Sequence, residues 1–274
     1  MAAKPVVVGV DGSEGSQRAL EWAAREAERR KSPLLVVSVP AMPARMHAEE
    51  RGTPTVATSL QEYAEHAIES AVTRSKEIAP GLVTTGELLP GAPALAITEA
   101  GSGALMVVVG ARGVGGFAAL LLGSVSRYVA MHAACPAVVI RAETADVQRE
   151  IAVGIRDPGD SSEALTFAFE EAALSGAELV AVHSAHPAGP YPEDATRAIS
   201  ETLEGMRDKY PTVTARPDVV HGHPAQVLAE YSSRADLVVL GRHGRSDRTL
   251  PGPARVIHAV ANHAHGPVVT VPPA

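Results

Sequence analysis

Short, unbroken apolar runs alternate along the chain with stretches in which apolar residues return every three or four positions. Pro5–Val10 is a Val-rich run of strand length, and Ser16–Arg30 then carries Ala19, Leu20, Ala23 and Ala27 at helical spacing. Leu34–Val39 reads as a second buried strand, followed by a helix over roughly Leu60–Ile78. Val83–Leu89 predicts a third strand, Ala92–Ala100 a short helix and Ala104–Val109 a fourth strand. A glycine-rich stretch, Gly110–Gly123, leads into a helix from Ser124 and a last strand at Ala137–Arg141. Near-continuous apolar strands alternating with helices predict a parallel sheet covered on both faces. Ligands of such sheets bind beyond the carboxyl ends of the strands, where the strand order reverses.

The same order is written twice. Leu89–Ala94 aligns with Val220–Ala225, and this offset of 131 residues holds through Gly110/Gly241, Gly113/Gly244, His132/His263 and Pro136/Pro267. Nearer the start the offset is 145: Gly9 falls on Gly154, Ala19-Leu20 on Ala164-Leu165, Trp22-Ala23 on Phe167-Ala168 and Ala27 on Ala172. The difference leaves 14 extra residues in the first copy, expected within Pro40–Pro54, which is rich in Pro, Met and Ala. The chain therefore reads as a tandem repeat of one α/β domain, residues 1–143 and 148–274, each long enough for a core of its own.

Composition removes several function classes. Hydrophobic residues make up 46% of the 274, too many and too evenly spread for a disordered chain. No apolar run approaches the roughly 20 residues of a membrane span. Net charge is −7, so there is no global basic field for nucleic acid, and 3% aromatic residues leave little for base-stacking platforms. Cys135 is the single cysteine, which excludes an intramolecular disulfide and a Cys-based zinc site; its place before Pro136 suits a small buried hydrophobe. Met1 leads directly into the first Val run without a signal-peptide pattern, so the expected setting is the cytoplasm, with neither membrane nor nucleic acid as partner.

The candidate chemistry gathers after the fourth apolar run, where Gly110, Gly113 and Gly123-Ser124 are spaced as Gly, two residues, Gly, nine residues, Gly-Ser. Glycines let backbone N–H groups approach a phosphate, and Ser124 is placed to cap the next helix, whose amino end attracts anions. The pattern predicts a polyphosphate cradle; the alternative is a flexible strand-to-helix connection. The chain has no Gly-x4-Gly-Lys-(Ser/Thr), which excludes a P-loop NTPase, and no Gly-x-Ser-x-Gly elbow. His221/His223 and His263/His265 are His-x-His pairs with no third ligand at a suggestive spacing, so no metal site is expected.

These motifs resemble those of tandem universal stress proteins (UspA family) of the nucleotide-binding type, as found in actinobacteria. The first copy carries that family's Gly-x2-Gly-x9-Gly-(Ser/Thr) pattern, its opening Val8-Gly9-Val10-Asp11-Gly12-Ser13 followed by Ala19-Leu20-x-Trp22-Ala23, and its Gly91-x-Pro93-Ala94 turn. The resemblance covers essentially the whole chain. It implies two Rossmann-like domains of the adenine nucleotide α-hydrolase kind, each a five-stranded parallel sheet with helices on both faces. It further implies ATP as ligand, alone or with Mg2+, and pairing through the last strands, either in a homodimer or between the two domains. The implied role is a regulatory or sensor module in stress or dormancy, acting on a protein partner that the sequence does not identify.

Residue by residue, the resemblance implies that Gly9 and Asp11 meet ribose and adenine, and that the backbone of Val39 meets adenine. Gly110, Arg112, Gly113, Gly115, Gly116, Gly123, Ser124 and Val125 would hold ribose and phosphates. Asp11 equally suits a turn or helix cap ahead of Ser16, and Arg112 a solvated loop charge. No catalytic residue is expected, because no carboxylate or His stands at the phosphate end of the motif. Slow ATP hydrolysis, and binding of cyclic AMP or another adenylate, are the alternatives.

The second copy departs from the pattern. Gly154, Gly241 and Gly244 are kept, but Arg156 stands at the position of Asp11, and Ala254-Arg255 at that of Gly123-Ser124. Arg242, Arg245, Arg248 and Arg255 make the segment basic and able to attract phosphate by charge. Arg156 is expected to remove an acceptor and fill the pocket floor, leaving weak or altered nucleotide binding.

Overall fold

The computed structural model describes residues 3–40, 54–113, 122–141, 149–157, 162–185, 192–242 and 252–273. The chain divides into two compact units, Met1–Arg141 and Ala142–Ala274.

In the first unit the Val-rich opening forms β1 (Val6–Gly9), buried along its whole length. The helix after it, α1 (Glu14–Arg29), starts at Ser13, whose side chain accepts from the Ser16 N–H at 3.2 Å. That bond satisfies one of the donors a helix start leaves free. The helix buries Leu20 and the alanines at 19, 23, 24 and 27, whose small side chains let its backbone lie close to the sheet. Glu26, on the same helix, is fully buried and ion-paired with Arg29 and Arg30, without which a buried carboxylate would be strongly destabilising.

The unit continues with β2 (Leu34–Ser38), α2 (Pro54–Ile78), β3 (Thr84–Leu88), α3 (Pro93–Ala100), β4 (Met106–Gly110), α4 (Ser124–His132) and β5 (Ala137–Ile140). The five strands are parallel in the order β3-β2-β1-β4-β5. The chain lays down β2 and β3 on one side of β1, then crosses back to place β4 and β5 on the other. Right-handed crossovers in opposite directions put α1 and α2 on one face and α3 and α4 on the other. Val6, Val7, Val8, Leu34, Val36, Met106, Val107 and Val138 form the core between these layers.

The second unit repeats the plan with β6 (Glu150–Gly154), α5 (Ser162–Ser175), β7 (Glu178–Ala185), α6 (Pro192–Arg207), β8 (Ala215–His221), α7 (Pro224–Tyr231), β9 (Leu237–Gly241), α8 (Gly252–His263) and β10 (Val268–Val271). Its strands are parallel in the order β8-β7-β6-β9-β10. Arg216 of β8 ties three strands together at their amino ends, reaching Glu178 at 2.9 Å and Glu150 at 3.2 Å. Among the described residues no helix is long and apolar enough to cross a membrane.

The doubly wound α/β architecture expected from the pattern is therefore present in both units. One boundary differs. The helix expected from Leu60 begins at Pro54, a residue type favoured at a helix start because a first turn does not need its missing N–H. Residues 41–53, which hold most of the expected insertion, lie outside the described residues.

Candidate functional site

The strand order of the first unit reverses between β1 and β4, whose carboxyl ends carry Gly9 and Gly110. Beyond β4, residues 110–113 are held between the amino ends of two helices. On one side, a Cβ built on Gly110 would run into the carbonyl group of Gly15, and one built on Gly15 into the carbonyl oxygen of Arg112. On the other side, the Gly123 N–H donates to the Ala111 carbonyl at 2.8 Å, and the Ser126 Oγ donates to the Gly110 carbonyl at 2.6 Å. Ala111 N–H donates to Ile140 of β5 at 2.7 Å. Glycine at 15 and 110 thus serves the approach of one backbone to another. The result is two helix amino ends, each with partial positive charge, converging on four residues.

Asp11 sits at the mouth of this arrangement, half-buried. Its Oδ1 accepts from the Ser13 N–H at 3.1 Å and from the Ser13 Oγ at 2.5 Å, an Asx turn that steadies the residue capping α1. Gly12, with φ +76°, makes the reversal between them. The Asp11 Oδ2 occupies the space that a Cβ on Gly113 would need. β1 and β4 are neighbours, and their continuations bring the Asp11 carboxylate against Gly113, a meeting the spacing of the motif does not predict.

The other expected residues are placed as follows. Gly9 is buried, and a Cβ there would lie 3.0 Å from Ile97 Cδ1 and 3.5 Å from Val109 Cγ1, an apolar floor. Val39 follows β2, one residue past its last paired position, Ser38. Arg112 and Gly113 are exposed. Ser124 and Val125 open α4, but the cap is Gly123, with extended φ −70° and ψ 158° and no side-chain cap bond. Ser124 is thus the first helical residue and not the cap, because the first helical bond runs from the Arg127 N–H to the Gly123 carbonyl at 3.0 Å. Gly115 and Gly116 lie outside the described residues.

Three residues escaped sequence reasoning. Gly15 looks like an ordinary first-turn residue, and only the approach of Arg112 gives it meaning. Tyr63 of α2 is 50% exposed and places its Oη 2.5 Å from where a Gly12 Cβ would stand, so the phenol covers the Asp11–Ser13 turn. Arg141 leaves β5 half-buried; burial, and then the positive charge of Arg112, hold its pKa below the ordinary guanidinium value.

The second unit keeps the floor and loses the tight approach. A Cβ on Gly154 would lie 3.1 Å from Leu228 Cδ1, matching Gly9 over Ile97, whereas one on Gly241 meets only Ala164 Cβ at an ordinary 3.4 Å. Arg156 is exposed, so it does not fill the floor, which Gly154 shares with Leu228 and Leu240. An arginine at a strand end carries its charge outward into water more cheaply than into an apolar floor. His183 Nδ1 lies 2.9 Å from the Ile155 carbonyl, while His221, His223, His263 and His265 are exposed. Among the described residues no group of three His, Cys, Asp or Glu is placed to hold a metal. Gly244, Arg245 and Arg248 lie outside the described residues. Cys135 is buried, as expected.

Fold and site together define a tandem doubly wound α/β protein with its candidate site at a topological switch point. The model of the universal stress protein family matches residues 2–141 and again residues 148–272, and the chain belongs to that family. A universal stress protein of Mycobacterium tuberculosis is 32% identical over 281 residues, 96% of this chain and 95% of its own. One from Mycolicibacterium smegmatis is 34% identical over 295 residues, 98% of this chain and 97% of its own. The crystal structure of a universal stress protein from Archaeoglobus fulgidus DSM 4304 shares the fold, with a TM-score of 0.76 and 18% identity over 99% of both chains.

Proposed function

We propose that the first unit binds an adenine nucleotide, ATP foremost, and that the protein is a regulatory module of a cytoplasmic stress response whose nucleotide state is read by a protein partner. Residues 1–143 and 148–274 are taken as its two domains. The observation that carries this reading is the convergence of the α1 and α4 amino ends on residues 110–113, with the Asp11 carboxylate beside them. Free N–H groups at the start of α4 suit phosphate oxygens. A carboxylate accepts hydrogen bonds from ribose hydroxyls or an adenine amino group, and the apolar floor under Gly9 suits a flat base or sugar. Val39, past the end of the β2 ladder, offers backbone groups toward an adenine edge. Mg2+ would travel with the phosphates, since hard oxygen ligands from phosphate and water supply most of its shell.

Slow hydrolysis is the second reading, favoured by Asp11 at Gly113, where a carboxylate could orient a water. Titration calorimetry of the full chain with ATP, ADP, AMP and cyclic AMP, with mass spectrometry of co-purifying nucleotide, tests the first reading. ATP is expected to bind; cyclic AMP binding more tightly than ATP would replace it as ligand, and no adenylate binding at all would refute the site. Incubation with Mg-ATP should release ADP no faster than a Gly113→Val control, and a rate in the ordinary enzyme range of about 1–10³ s⁻¹ would make the protein an ATPase instead.

A further inference from the structure

We infer that Arg141 is a specificity-determining residue of the first unit, forming with Arg112 a two-guanidinium clamp for the terminal phosphates of a nucleoside triphosphate and setting a preference for ATP over AMP. It rests on the nucleotide reading above and adds to that site a residue from a strand the motif does not include.

The placement follows from the sheet. Gly110 pairs with Ile140 as the last residues of the β4–β5 ladder, and the Ala111 N–H donates to the Ile140 carbonyl at 2.7 Å. Arg141 therefore leaves β5 level with Ala111 and next to Arg112. The Ala111 carbonyl in turn accepts from Gly123 at 2.8 Å and from Ser126 Oγ at 3.3 Å, so Arg141 stands where the segment after β4 meets the amino end of α4. Arg141 is half-buried, and the Arg112 charge is among the causes that depress its pKa. Like charges carried on neighbouring strand ends repel, and an anion that both side chains reach turns that repulsion into attraction on both sides.

Distance along the sheet decides which anion. From the end of β2, where Val39 faces the base in this reading, to the end of β5 the order β2-β1-β4-β5 spans three strand spacings, on the order of 14 Å. An extended nucleoside triphosphate covers that reach, and a monophosphate stops short of it. The second unit lacks the pair: at the same offset of 131 it has His243 for Arg112 and Pro272 for Arg141.

The test is titration calorimetry of the full chain with ATP and with AMP, for the wild type, Arg141→Gln and Arg141→Lys. Arg141→Gln is expected to weaken ATP about tenfold or more, the effect of losing a charged hydrogen bond, and to leave AMP unchanged. Arg141→Lys keeps the charge without the planar fork and should fall between. Inorganic tripolyphosphate should displace ATP from the wild type, a measurement that does not depend on either variant folding. Unchanged ATP affinity in Arg141→Gln, equal losses for ATP and AMP, or failure of tripolyphosphate to compete would each overturn the clamp while leaving nucleotide binding standing. A wild type that binds neither nucleotide would overturn the underlying site as well.

Discussion

Adding one methyl group at Gly110 and the same methyl at Gly113 should give opposite results. Neither glycine has a positive φ, so alanine meets no backbone strain at either position. At Gly110 the new Cβ would overlap the carbonyl oxygen of Gly15 and lie 2.5 Å from its carbonyl carbon. Those atoms belong to the first turn of α1, which must shift as a whole against the sheet. Overpacking of that kind costs about 1–3 kcal/mol, and in a domain of this size lowers Tm by roughly 3–10 °C. At Gly113 the Cβ meets only Asp11, the far end of a side chain that can rotate away. The turned carboxylate gives up its partly exposed bonds to Ser13, so stability should fall by about 1 kcal/mol or less. The acceptor, however, no longer points at the ligand, and ATP affinity should fall about tenfold or more. Thermal unfolding without ligand, paired with ATP calorimetry on both variants, reads the two effects separately. A Gly113→Ala protein that loses as much Tm as Gly110→Ala, yet binds ATP as the wild type does, would refute the assignment of Asp11 to the site.

Three further outcomes are expected. Ser13→Ala removes the cap of α1 and the hydroxyl bond to Asp11, and should lower stability by about 0.5–2 kcal/mol in denaturant unfolding; an unchanged midpoint would show that the cap bond contributes nothing. Burial, and then the hydrogen bond donated to Asp218, push the Tyr231 phenol up from 10.0 to about 12. The fold favours the protonated phenol, so its contribution is complete below pH about 10 and is lost as pH rises toward about 12. Tyr231→Phe should flatten that limb of the stability–pH curve, and parallel curves for the two proteins would contradict it. Calorimetry should count a single ATP per chain, because Gly241 lacks the close helix approach of Gly110 and Arg156 replaces Asp11; two equivalent sites would show that arginines substitute for the lost geometry.

Periodicity alone determined the repeated order of strands and helices. Burial on one face or both leaves a local signature of apolar spacing, and Val6–Gly9 or Ala19–Ala27 can be read without knowing their neighbours. The spacing of Gly110, Gly113 and Gly123 was legible for the same reason, since a turn into a helix is a local event. Tertiary structure decided which residues meet. Asp11 and Gly113, and Gly15 and Arg112, come together because β1 and β4 are adjacent in the sheet, and no local pattern records that adjacency. It also decided that Gly123 and not Ser124 caps α4: the Gly123 carbonyl accepts the first helical bond, from Arg127, while its N–H is held by Ala111 across the connecting segment. Local chemistry specifies what each segment can be, and the order of strands in the sheet sets what it touches.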